Sequence, residues 1–355
     1  MTAGAPGAAD APRSYDGAMP PPLRVVAAVD KFRGTASAAE VAAAVAAAVE
    51  AAGGTCEQVA LADGGEGLLD VLGGPNRTTV VTGPLGDDVA AAWRFSRGTA
   101  VIEMARASGL LLAGGAEGND PVAASTEGTG ELISAALDAG AKRIVVGAGG
   151  SATTDGGFGA VRAIMATHRL RGVQLQVACD VRTRFVDAAP VFAPQKGASP
   201  AQVELLRRRL ERLVQVYRET YGVDIGDLDG AGAAGGLGGG LAALGAELVS
   251  GFDLVADELA LAELIAEADL VVTGEGYCDA QSFEGKVVGG VVALAAEAGV
   301  PVVVVAGDVA PEVRTAHPEL VAVSLVARFG EDDAMQRTTA CITDVVAAEL
   351  ERLRP

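Results

Sequence analysis

The sequence predicts a layered α/β fold with parallel strands, organised as two domains. Three observations carry this. The chain of 355 residues is long for a single core. Half of its residues are hydrophobic but only 4% are aromatic, so the core is built from Val, Leu, Ile and Ala, as suits parallel strands buried on both faces. Short apolar runs also alternate with helical stretches, and most runs end in a glycine-bearing, charged loop.

The first strand is expected over 23–29, ending at Asp30 and the loop Asp30-Lys31-Phe32-Arg33-Gly34-Thr35. Ser37 and Glu40 form a capping-box pattern that opens an Ala- and Val-rich helix, stopped by Gly53-Gly54. A second strand over 58–61 leads into Asp63-Gly64-Gly65-Glu66-Gly67 and a helix from Leu68. From Arg77 the texture changes to β-prone segments at 78–82, 91–96 and 99–105 separated by turns, an antiparallel excursion. Regular α/β structure returns with a helix to Ala139 and a buried strand at Ile144-Val145-Val146, which breaks into Gly147 to Gly159. A strand over 173–179 ends at Asp180, and Ser199-Pro200 opens a helix with Val203, Leu206, Leu210, Leu213 and Tyr217 on one face. Residues 230–240 are the densest glycine run. Strands follow at 269–273, ending before Gly274-Glu275-Gly276, and at 301–306 and 321–326, with a closing helix over 335–353.

A net charge of -19 repels polyanions, which excludes a nucleic-acid role and requires local cations around any anionic substrate. Cys56, Cys179, Cys278 and Cys341 form no Cys-x-x-Cys pair, and His168 and His317 are isolated, which argues against disulfides and a zinc site. No run reaches the roughly 18 apolar residues of a membrane span. Residues 1–22 lack the apolar segment of a signal peptide and read as a disordered tail. The expected protein is cytoplasmic, with no membrane partner.

Gly147-x-Gly149-x-x-Ala152 fits a dinucleotide fingerprint formally. No Asp or Glu lies between Asp155 and Asp180 to hold a ribose, so a dehydrogenase is disfavoured. A Walker-type loop is absent, and neither histidine sits in a glycine loop to serve a hydrolase. What recurs is a glycine-framed loop with a carboxylate or a cation. Lys31, Arg33, Lys196 and Lys286 are the cations; Asp63, Asp155, Asp180, Glu275 and Asp279 are the carboxylates; Ser151 and Thr153 add hydroxyls. Phosphoryl transfer needs this inventory: amides and cations for phosphates, carboxylates for Mg²⁺ and one to orient an attacking hydroxyl.

The chain resembles the type-1 glycerate kinases. The likeness rests on Asp30-Lys-Phe-Arg-Gly-Thr35, Ala62-Asp-Gly-Gly-Glu-Gly67, Ile102-Glu-Met-Ala105, Ser108-Gly-Leu110 and Gly128-Thr-Gly-Glu-Leu-Ile133. It continues through Gly149-Gly-Ser-Ala-Thr-Thr-Asp-Gly-Gly157, Ala178-Cys-Asp-Val181, Pro194-Gln-Lys-Gly-Ala198, Gly230 to Leu237, and Thr273-Gly-Glu-Gly276 with Asp279, Gln281, Gly285 and Lys286. The resemblance implies ATP-dependent phosphorylation of D-glycerate, 2-phosphoglycerate being favoured over 3-phosphoglycerate, with Mg²⁺. It implies a Rossmann/flavodoxin-like domain of residues 23–76, 122–167 and 266–355, a second α/β domain of 77–121 and 168–265 inserted in it, and a cleft between them. Asp63, Asp155, Asp180 and Asp279 are then the catalytic candidates, with Asp63 and Asp180 also candidates for Mg²⁺. Lys31, Arg33, Gly149, Gly150, Ser151, Thr153, Lys196, Gly235, Gly236, Glu275 and Lys286 are candidates for substrate and phosphate binding. The partners are ATP and a small hydroxy acid; a homodimer is left open.

The sequence departs from the family pattern after Val181, where Arg182-Thr-Arg-Phe-Val-Asp187 replaces an Asx-Asn-Pro-Leu loop, and in the short segment 161–172. Arg33, Tyr277 and Glu127 also replace the lysine, arginine and aromatic that are common there. Two alternatives therefore accompany the main expectation: a kinase for another small hydroxy acid, and a catalytically weakened ligand-binding homologue.

Overall fold

The computed structural model describes residues 22–32 and 34–353. Most of the tail expected over 1–22, and the candidate Arg33, lie outside the described residues. Strands are β1 (Arg24–Val29), β2 (Thr55–Ala60), β3 (Arg77–Thr82), β4 (Asp88–Ser96), β5 (Thr99–Glu103), β6 (Arg143–Gly147), β7 (Gln174–Ala178), β8 (Glu247–Val249), β9 (Leu270–Cys278), β10 (Val302–Val309) and β11 (Val321–Ser324). They form two sheets. The first is wholly parallel, in the order β11-β10-β9-β1-β2. The second has the order β3-β4-β5-β6-β7-β8, antiparallel through β3-β4-β5 and parallel from β5 to β8.

Alternation along β1 sends Val25, Ala27 and Val29 to one face of the first sheet and Val26 and Ala28 to the other. The first set packs on the helices Ala38–Ala51 and Thr338–Leu353 through Val41, Val45, Ile342 and Val345. The second set shares one core with Val101 of β5, Val145 of β6, Ala178 of β7 and Phe252 and Val255 of the helix Gly251–Glu258. This shared core welds the sheets together. The far face of the second sheet packs Ile102, Ile144 and Val177 on Leu132, Ile164 and Leu237.

The predicted Ser37 and Ser199 capping boxes are both present. On the apolar face of the helix Pro200–Tyr221, Leu206, Leu210 and Tyr217 are buried, and Val203 and Leu213 pack half-buried against the same core.

The strand at Ile144 to Val146 corrects one domain assignment. Segment 122–167 is expected with the first sheet, yet β6 hydrogen-bonds to β5 and β7 in the second. A continuous apolar run is buried on both faces in either sheet, so its composition is silent about which it joins. All strands of the second sheet therefore come from one continuous block, between β2 and β9 in the chain. Two strands also run past their expected ends: β9 continues through Glu275 to Cys278, and β10 to Val309, because they remain paired as far as Val309 and Cys278.

The helix Ala233–Ala243 contains a left-handed turn at Ala234, Gly235 and Gly236 that presses it onto the loop after β6. A Cβ on Gly235 would lie 1.9 Å from the Thr153 carbonyl oxygen, and Gly235 has φ +70°. Gly245, with φ +94°, has open space around it. Gly245→Ala therefore costs only the left-handed penalty of about 1–2 kcal/mol. Gly235→Ala is expected to cost at least about 2 kcal/mol more from the clash, read as the shift in urea-unfolding midpoint.

Candidate active site

A cleft of about 1020 Å³ lies where the carboxyl ends of the two sheets meet, the position where open α/β sheets bind ligands. Each wall is a loop that follows a parallel strand. The first sheet contributes Lys31 after β1, Asp63, Gly65 and Glu66 after β2, and Gln281 to Lys286 after β9. The second contributes Ala148 to Gly150 after β6 and Cys179 to Thr183 after β7.

Close backbone approach brings these loops together. A Cβ on Gly149 would meet the Gly65 Cα at 2.7 Å, and one on Gly251 would meet the Asp63 carbonyl oxygen at 2.2 Å. Glu103, at the end of β5 and 2% exposed, fastens the same seam. Its Oε1 accepts hydrogen bonds from the Gly67 and Leu69 amides at 2.9 and 3.0 Å, and its Oε2 pairs with Arg106 at 3.0 Å. A buried carboxylate with this many donors is satisfied as an ion.

The structure brings Lys31, Asp63, Gly149, Gly150, Asp180 and Lys286 to the one cleft. Lys31 Nζ donates to the Glu66 carbonyl oxygen at 2.6 Å, which holds the ammonium over the Asp63 loop. Lys286 stands at the N-cap position of the helix Val287–Ala298, makes no side-chain cap hydrogen bond, and lines the cleft. Asp180 accepts a hydrogen bond from the Gly251 amide at 3.2 Å. Burial, then the negative charge of Asp63, push its carboxyl up to about 8, against the lowering pull of Gly251 and Lys286.

Other candidates sit elsewhere. Asp155 is turned into the fold: its Oδ2 accepts from the Thr126 amide and hydroxyl, both at 2.9 Å, and from the Gly159 amide, while Oδ1 accepts from Gly157. Asp279 caps the short helix Ala280–Phe283 through the Gln281 and Ser282 amides. Neither lines the cleft. Gly235 and Gly236 pack on the Thr153 to Gly156 backbone rather than on a ligand space. Glu275 lies on β9 near Asp30, Asp279 and Lys286, and burial raises its carboxyl to about 7. Ser151 and Thr153 share a hydroxyl–hydroxyl hydrogen bond at 2.9 Å beneath the loop; Ser151, but not Thr153, reaches a side cavity that also holds Lys196.

Sequence reasoning missed Glu103 as a fastening group and did not single out Arg182, Thr183 and Glu284 as wall residues. For Arg182 and Thr183 the available signal was adjacency to Asp180 at a strand end. For Glu103 it was a lone carboxylate closing an apolar strand.

The described fold and cleft define a two-sheet α/β protein that gathers cations and a carboxylate pair at converging strand ends. The family model for the glycerate kinase family matches residues 25–168 and 164–353. A glycerate 2-kinase of Escherichia coli K12 is 40% identical over 335 residues, covering 83% of this chain and 88% of that protein. A glycerate kinase of Halalkalibacterium halodurans is 38% identical over 356 residues, covering 88% and 93%. A crystal structure of a Salmonella typhimurium LT2 protein assigned as glycerate kinase 2 superposes with a TM-score of 0.76 at 33% identity, covering 94% of this chain and 98% of that one. The chain belongs to the glycerate kinase family. Among the described residues no helix is long and apolar enough to cross a membrane.

The elevated Asp180 has a consequence for stability. Folded Asp180 holds its proton more tightly than the unfolded chain, whose carboxyl titrates near 3.8, so its contribution falls as pH rises from about 4 to about 8. Asp180→Asn removes that penalty. The variant is expected to melt above the parent protein, by a margin that widens between about pH 5 and about pH 8 in thermal scans. A constant or shrinking margin contradicts the assignment.

Proposed function

We propose that the protein is an ATP-dependent kinase that phosphorylates a hydroxyl of D-glycerate, with the 2-hydroxyl as the acceptor. The observation that carries this is the pairing, in one cleft, of Lys31, Arg182 and Lys286 with the carboxylates Asp63 and Asp180 at the meeting of two strand-end sets. The named relatives support the substrate, and the Escherichia coli relative's name supports the 2-position.

In this reading Lys31, Lys286 and the backbone around Gly149 and Gly150 hold the phosphates. Asp180 orients the acceptor hydroxyl and takes its proton as the new O–P bond forms and the bond to ADP breaks. A carboxyl poised near 8 is a stronger proton acceptor than an ordinary aspartate.

The residues also fit Mg²⁺. The ion favours hard oxygen donors and is commonly bound by one or two carboxylates plus substrate phosphates rather than a full protein cage. Among the described residues no group of three or more His, Cys, Asp or Glu could hold a metal, whereas Asp63 faces the cleft beside Asp180. Asp63 would hold the ion, which when bound neutralises charge on the transferring phosphoryl group. Four free cysteines suit a reducing, cytoplasmic compartment for this reading.

The altered loop bears on a second reading. Arg182 and Thr183 line the cleft, so the departure from the family pattern faces the ligands, and a related small hydroxy acid is the alternative acceptor.

The test is ADP production from ATP, Mg²⁺ and D-glycerate, with the product identified by phosphorus NMR as 2- or 3-phosphoglycerate. Release of ADP above a heat-killed control is expected; its absence with glycerate, but presence with another hydroxy acid, transfers the claim to the second reading. Asp180→Asn should reduce kcat at least about 100-fold. In the parent enzyme at saturating ATP and glycerate, kcat is expected to rise with pH through about 8, as the base ionises. A profile that falls through this range removes Asp180 from the role.

A further inference from the structure

Lys196 is 4% exposed, yet among the described residues no Asp or Glu lies within ion-pair distance of it. Its Nζ donates to the Thr153 carbonyl oxygen at 2.6 Å and, at the limit of 3.5 Å, to Ser151 Oγ. An ammonium carries three donors, so this one has capacity left over. Lys196 is also held rigidly. It ends the turn Pro194–Lys196, its carbonyl oxygen accepts from Asn119 Nδ2 at 2.9 Å, and a Cβ on the next residue, Gly197, would meet the Ala116 carbonyl oxygen at 2.2 Å.

Lys196 and Ser151 line a side cavity of about 290 Å³ whose other walls include Leu110, Phe192 and Ala234. The cavity shares Ala148, Gly150 and Val181 with the main cleft and so adjoins it. Lys31 and Lys286, in contrast, stand on the first-sheet side.

We propose that this side cavity is the carboxylate subsite for the acceptor acid, with Lys196 and Ser151 as its specificity-determining residues. The proposal rests on the kinase reading above. One buried positive charge, with apolar walls beside it, matches a small monoanion and is a poor match for a triphosphate, which Lys31 and Lys286 across the cleft, with Arg182 on its near wall, serve better. The side cavity is also too small for a nucleotide beside its own walls but ample for a three- or four-carbon acid. An acid held by its carboxylate there presents the adjacent 2-hydroxyl toward Asp180, whose neighbour Val181 is common to both spaces. Burial leaves the ammonium's proton loosely held, at about 7, and Asp155 is the charge that favours keeping it. A bound carboxylate supplies the missing partner.

The test compares the parent enzyme with Lys196→Met, which keeps the stem and removes the charge, and with Leu110→Trp, which narrows the cavity and leaves the lysine in place. KM for glycerate is expected to rise about 30-fold or more in Lys196→Met, the loss of a charge-assisted contact, while KM for ATP stays within about twofold. The parent should prefer glycerate over its uncharged amide, and Lys196→Met should lose most of that preference. Leu110→Trp should raise KM for glycerate and leave KM for ATP unchanged. An unchanged KM for glycerate in Lys196→Met, or equal rises for both substrates, overturns the proposal. If the parent does not turn over glycerate, the kinase reading fails on its own. The subsite is then judged by calorimetric titration of glycerate, lactate and their amides. Carboxylates that bind the parent and not Lys196→Met support it; equal binding to both proteins overturns it.

Discussion

The backbone contact between the loop after β2 and the loops that follow β6 and β8 is the constraint on which the site depends. Gly149 lies against Gly65, and Gly251 against the Asp63 carbonyl, at separations that leave no room for a Cβ. The contact places carboxylates and cations from two different sheets around one space. Without it, Asp63 and Lys31 would belong to one sheet edge and Asp180 to another, with no common ligand. Glu103 serves the same seam electrostatically, since it rises from a strand of the second sheet and accepts amide hydrogens from the first sheet's loop.

The electrostatics follow from that convergence. The whole chain carries -19, so the surface offers little attraction to an anion, and the favourable field has to be local. Burying Asp180, and setting Asp63 near it, both disfavour its ionised form, and together they raise its carboxyl. Tension of this kind is common where a fold spends stability on chemistry. Asp155 is buried too, and burial raises its carboxyl, but four donors hold it and it shapes the loop from below.

Much of the fold was legible because the signals were local. An apolar run ending in a charged loop marked β1, the Ser37 and Ser199 boxes marked helix starts, and the turn chemistry between Arg77 and Glu103 marked the antiparallel excursion. Sheet membership was not local: Ile144 to Val146 reads the same whichever sheet receives it. The site divides along the same line. Strand-end loops pointed to Lys31, Asp63, Asp180 and Lys286, which the structure gathers. Asp155 and Asp279 have the same sequence texture, but the amides that claim them are chosen by tertiary contacts and by a cap. Glu103 was invisible as a fastening group because the amides it binds lie more than thirty residues away.

The core that Val26 and Ala28 share with Val101, Val145, Ala178 and Phe252 has a further meaning. The block carrying the second sheet enters and leaves between β2 and β9, so it looks like a removable module. Excising it would strip one face of β1 of its covering and expose apolar surface on both pieces. The two sheets therefore depend on one core, and neither piece keeps its apolar face covered without the other.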